Sequence, residues 1–68
     1  MFLTVELEQE ADGRWIAAIP DLGGVLAYGS SREEATARVE ALALRVLADR
    51  LEHGEAGPDL VSVSFRAA

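Results

Sequence analysis

His53 is the single imidazole of this 68-residue chain, which contains no cysteine and no lysine. Acid–base, nucleophilic or metal chemistry would therefore rest on very few side chains. His53 falls at the end of a long helical stretch, where the exposed carbonyls favour a cation, so it reads as a helix-terminal residue. A catalytic histidine needs a nucleophile and an orienting acid beside it, and the sequence supplies neither set. Glu6 and Glu8 lie two residues apart on one face of an extended segment and could share a cation. Paired carboxylates at that spacing more often form a charged sheet surface that discourages misassociation. Gly23, Gly24 and Gly29 fit neither of the glycine spacings that cradle phosphate, so they read as corner residues. Trp15 and Tyr28 could stack on nucleobases, but no basic patch accompanies them, so they read as packed aromatics or part of an interface. The expectation is a chain that is not an enzyme and uses neither a metal nor a cofactor.

Composition narrows the classes further. Twelve acidic residues against six basic ones, all arginine, give a net charge of −6. Direct binding to nucleic acid needs the opposite sign, whereas a basic protein partner suits this balance. Half the residues are apolar, enough for a packed core and too many for disorder. A chain this short buries only about 60% of its unfolded surface and has no disulfide to help, so self-association is expected. The start of the sequence lacks the basic and apolar regions of a secretion signal, and no long uncharged apolar run follows. These features predict a single domain over residues 1–68, cytoplasmic and without a membrane contact.

The elements that must position these residues follow from the periodicity. Phe2 to Glu8 alternates, with Leu3, Val5 and Leu7 on one side and Thr4, Glu6 and Glu8 on the other, which predicts a half-buried strand. Asp12-Gly13 supplies hairpin chemistry, and a second strand from Arg14 to Ile19 should pair antiparallel with the first. That strand carries apolar residues on both faces: Trp15, Ala17 and Ile19 on one, Ile16 and Ala18 on the other. Pro20 ends the ladder, and the corner Asp21-Leu22-Gly23-Gly24 leads to a third strand, Val25 to Tyr28. Either Ser30 with Glu33 or Ser31 with Glu34 forms a capping box, starting a helix that runs from about Arg32 to His53 and closes on Gly54. Leu60 to Arg66 alternates again as a fourth strand. The predicted fold is α+β, in the order β-β-β-α-β. A three-stranded antiparallel meander gains a fourth strand parallel to the first through a right-handed crossover, giving the spatial order 3-2-1-4 with one long helix on one face.

At about 100° per residue, Ala35, Val39, Leu42, Ala43 and Val46 form the sheet-facing stripe. Leu44, Leu47, Ala48 and Leu51 fall elsewhere, and the one continuous polar stripe holds Glu34, Arg38, Arg45, Asp49 and Glu52. Glu34 with Arg38 and Arg45 with Asp49 are spaced as i,i+4 ion pairs. A helix of this length overhangs strands of about six residues, so a second copy of the chain is expected to cover Leu44, Leu47 and Leu51, and the second face of strand two at Ile16 and Ala18.

The stretch from Asp12 through Gly24, read as DGRWIAAIPDLGG, and its continuation Tyr28-Gly29-Ser30-Ser31-Arg32-Glu33-Glu34-Ala35 resemble the HicB antitoxin family. That family shows an Asp-Gly hairpin, an aromatic residue, a Pro-Asp-Leu-Pro-Gly corner, a Gly-Asp-Thr turn and a Glu-Glu-Ala helix start in this order. Gly23 stands where the family usually has proline, Val25 where cysteine is common, and Ser30-Ser31 where Asp-Thr is usual. The resemblance implies a partial ribonuclease H-like fold without an active site, which masks a small basic messenger-RNA-cleaving toxin of the HicA type. Fuller members add a C-terminal operator-binding domain, so a HicB-like domain lacking it is expected not to bind an operator.

These readings converge on a toxin-antitoxin protein-binding module. Glu6, Glu8, Trp15, Asp21 and Glu33 are the candidate partner contacts. The alternative is a solitary homo-oligomer of the same fold that binds a small molecule or an unrelated protein.

Overall fold

A computed structural model describes residues 1–55 and 62–68. Five elements follow one another: β1 (Phe2–Gln9), β2 (Trp15–Ala18), β3 (Leu26–Gly29), α1 (Arg32–Glu52) and β4 (Ser64–Ala67). They build one four-stranded sheet in the order β3-β2-β1-β4, antiparallel except where β4 runs parallel to β1. The α+β class, the strand order and the parallel crossover are those expected from the sequence. The first three strands move by a residue or two, β2 being shorter than Arg14 to Ile19 and β3 shifted to end at Gly29, whereas β4 starts only at Ser64, so Ser62 and Val63 of the expected Leu60 to Arg66 strand are not part of it. Leu60 and Val61 of the expected fourth strand lie outside the described residues.

Local chemistry fixes each connection. The β1–β2 hairpin closes through Gly13 N–H to the Glu10 carbonyl at 2.9 Å and Glu10 N–H to the Arg14 carbonyl at 2.7 Å. Only Gly13 takes positive φ, at +92°, so this is a three-residue loop with a glycine bulge instead of a two-residue mirror-image turn. Asp12 accepts the Arg14 amide at 3.0 Å, and that hydrogen bond, with the guanidinium beside it, holds its carboxyl below the usual range. At the second corner, Leu22 is buried and hydrogen-bonded to the Ile19 carbonyl, which anchors the glycines around it.

Ser31 caps α1 by accepting the Glu34 amide at 3.1 Å, selecting the second of the two possible boxes. The Glu34 carboxylate reaches one residue further back than expected, to the Ser30 amide at 3.0 Å. At the other end, Gly54 at φ +69° closes a two-bond terminus, with Glu55 N–H on the Arg50 carbonyl and Gly54 N–H on that of Leu51. One expected ion pair forms, Arg38 to Glu34 at 3.3 Å. The other does not: Asp49 turns toward His53 at 3.4 Å instead of Arg45.

The core lies between α1 and one face of the sheet, where Leu3, Val5, Ala17 and Ile19 meet Ala35, Val39, Ala43 and Leu47. Leu42 and Val46, expected to face the sheet squarely, are half-buried at its margin. The buried helix residues recur at every fourth position, which is the inclined ridge by which a helix crosses a neighbour at an angle. Leu47 is therefore a core residue, 4% exposed, and the expectation that a second chain covers it is corrected.

Candidate binding surface

With α1 on one side, the opposite face of the sheet is left uncovered, and the pairing register shows what stands on it. Ala18 and Ile16 of β2 lie beside Glu6 and Glu8 of β1, while Leu26 and Tyr28 of β3 lie beside Ala18 and Ile16. Phe2 and Thr4 continue β1 past β2, next to Ser64 and Arg66 of β4. Three large apolar side chains on this face are well exposed: Phe2 at 67%, Leu26 at 45% and Tyr28 at 41%. Leu26 and Tyr28 neighbour each other along β3, whereas Phe2 stands two strands away on β1, and together they make this face a candidate contact surface.

Charge is arranged around the apolar groups. The Arg14 guanidinium sits 5.0 Å from the Tyr28 ring centre and that of Arg66 5.6 Å from the Phe2 ring, so each exposed aromatic carries a stacked cation. Arg66 also donates to the Thr4 hydroxyl at 3.3 Å. Glu6 and Glu8 stand between these two centres and enter no ion pair among the described residues. An open groove of about 510 Å³ runs past Glu6, Glu8, Ile16 and Ala18 and around the sheet edge to Arg32. Among the described residues no polar side chain is buried, so the groove has no enclosed polar group to orient a small ligand. Its lining mixes apolar side chains with the charged groups of Glu6, Glu8 and Arg32.

The candidate partner residues do not form one patch. Glu6 and Glu8 share the open face. Trp15 lies on the other side of the sheet, half-buried against the core, with the Arg32 guanidinium 5.4 Å from its ring. Asp21 is exposed but already occupied, accepting the Thr4 amide at 3.1 Å where β2 has ended and can no longer do so. Glu33 belongs to the first turn of α1, across the sheet from Glu6 and Glu8. The interface candidates divide in the same way: Ile16 and Ala18 on the open face, Leu44 and Leu51 on the far side of the helix. Phe2 and Leu26 were missed as surface residues, and Tyr28, read as a packed or interface aromatic, is exposed. The alternation that made Glu6 and Glu8 face outward assigns Phe2 to the same face, and pairing β3 with β2 assigns the other two.

His53 donates through Nδ1 to the Asp49 carbonyl at 2.8 Å, closing the last turn of α1. No group of three or more histidine, aspartate or glutamate side chains among the described residues could hold a metal ion. No helix among them is long and apolar enough to cross a membrane. Neither a family model, nor a curated protein, nor a solved structure matches the chain. The uncovered face and the helix exterior are thus the features from which function must be argued.

Proposed function

We propose that this chain is a non-catalytic protein-binding module of the HicB antitoxin type, and that its uncovered sheet face receives the partner. The observation that carries this reading is the pairing of exposed apolar groups, Phe2, Leu26 and Tyr28, with the carboxylates of Glu6 and Glu8 on one face of the sheet. An RNA-cleaving toxin must itself be basic to hold RNA, and the carboxylates of Glu6 and Glu8 would compete with phosphate for that surface. The net charge of −6 supports the same partner and disfavours operator DNA. The chain acts in the cytoplasm, where such a toxin would meet its messenger RNA.

The test is co-expression with a small basic messenger-RNA-cleaving protein of the HicA type, followed by a ribonuclease assay on the purified complex. A stoichiometric complex that suppresses cleavage, and that Tyr28→Ala or Ile16→Asp disrupts, is the expected result. A complex indifferent to both substitutions would remove the sheet face from the proposal. Absence of any complex would remove the antitoxin reading.

A second reading, a solitary homo-oligomer, is favoured by one specific observation. Leu44 and Leu51 stand exposed on the far side of α1, where no element of the same chain covers them.

A further inference from the structure

The buried row of α1, Ala35, Val39, Ala43 and Leu47, leaves the opposite side of the helix in water. On that side Ala37, Ala41, Leu44, Ala48 and Leu51 are all exposed, the two leucines at 50% and 56%. Their spacings alternate four, three, four, three, which is the repeat of a two-stranded coiled-coil seam. The seam lies roughly 140° around the helix from the core row, at about 100° per residue. Two helices could therefore meet along it with their sheets pointing away from each other.

We infer that a second copy of this chain covers this seam, the two α1 helices running parallel and in register. This rests on the self-association reading above and names its interface. Charge complementarity selects the occupant and the direction. Glu40 flanks one side of the seam and Arg45 the other, and neither is in an ion pair among the described residues. In a parallel pair, residues flanking opposite sides and five apart in sequence meet across the interface, so Glu40 of one helix faces Arg45 of the other, twice by symmetry. Glu33 and Arg38 hold the same positions one heptad earlier, but Arg38 is already engaged by Glu34 and the Tyr28 carbonyl of its own chain, so the pair of Glu40 with Arg45 decides the direction. An antiparallel pair would instead bring each flank against its own kind, acid to acid and arginine to arginine. Alanine at alternate seam positions lets the backbones approach closely, with Leu44 and Leu51 providing the apolar contact.

Sedimentation equilibrium of the whole chain at micromolar concentration, with folding checked by circular dichroism, tests the inference. The wild type should be a dimer. Arg45→Glu should weaken it by about tenfold or more, because Glu40 then faces a like charge, and Glu40→Arg combined with Arg45→Glu should restore it. Leu44→Cys, the chain's only thiol, should cross-link to its own copy under oxidation. A monomeric wild type would overturn self-association altogether. A dimer broken by Ile16→Glu but indifferent to Arg45→Glu would overturn the seam and leave self-association standing. A dimer tightened by Arg45→Glu would overturn the parallel arrangement.

Discussion

Single residues at the β3–α1 junction determine whether the helix can sit where it does. Gly29 pairs with Trp15 at the end of β3, and a Cβ there would strike the Ala35 amide nitrogen and lie 2.9 Å from its Cα. Both are backbone atoms of a packed helix and cannot move aside. Gly29→Ala should cost about 1–3 kcal/mol, read as a lower denaturant midpoint with an unchanged slope. The reason is proximity, since the backbone of Gly29 does not require positive φ. Two residues on, Ser31→Ala removes the cap and should cost about 1 kcal/mol by the same measurement. Glu34 adds a pH dependence. The Ser30 amide and then the Arg38 guanidinium hold its carboxyl below the ordinary 4.5. A carboxylate lowered in the fold contributes stability that is present above its unfolded value and is lost as pH falls through the folded one. Thermal unfolding should therefore lose its Glu34-dependent part in acid, and Glu34→Gln should flatten that portion of the curve while changing little at pH below it. A profile identical in Glu34→Gln and wild type would show that the box carries no ionic share.

At the scale of elements, the sequence was most legible where one local signal sufficed. Alternation gave β1 its inward Leu3 and Val5, and Gly54 ended the helix as its position predicts. It was least legible where an element's setting against its neighbours decides the outcome. Averaging apolar positions around α1 placed Leu42 and Val46 in the core and Leu47 outside. The helix lies mainly over β3 and β2, and the row it buries there recurs at every fourth residue. Crossing angle is a property of two surfaces and cannot be read from one helix. Arg45 illustrates the same point, because its expected partner Asp49 is drawn to His53 at the C-terminal end of the helix. The corrected assignment has a measurable consequence. Leu47→Ala should destabilise the fold by about 2–5 kcal/mol, whereas Leu44→Ala should change monomer stability by about 0.5 kcal/mol or less. Chemical denaturation at a concentration too low for association separates the two. Equal losses would mean that both leucines belong to one core.

The whole molecule presents two unpartnered surfaces on opposite sides, the sheet face, where Glu6 and Glu8 stand between Arg14 and Arg66, and the helix seam, so one partner on each can be held at once. This separation makes the electrostatic mechanism testable without disturbing self-association. Changing Glu6 and Glu8 to Lys alters the charge by two at each site, taking the net value from −6 to −2. If a basic partner is steered to the sheet face, its association rate should fall by about tenfold at low salt and lose most of its salt dependence, with dissociation little changed. Tyr28→Ala should act the other way, leaving association near its original rate and speeding dissociation, because a buried aromatic anchors a docked complex more than it guides the approach. Trp15→Ala belongs to neither class: Trp15 packs against the core under Arg32, so its loss should appear as lower stability. The decisive control keeps the same net charge but moves the reversal to exposed acids at the C-terminal end of the helix, with Asp49→Lys and Glu55→Lys. Steering by a local face predicts that this pair slows association far less than the Glu6 and Glu8 pair, since exposed charges separated by more than about 8–10 Å are screened at moderate salt. If both pairs slow it equally in stopped-flow measurements, the partner responds to the overall charge of the chain, and the sheet face loses its claim as the docking site.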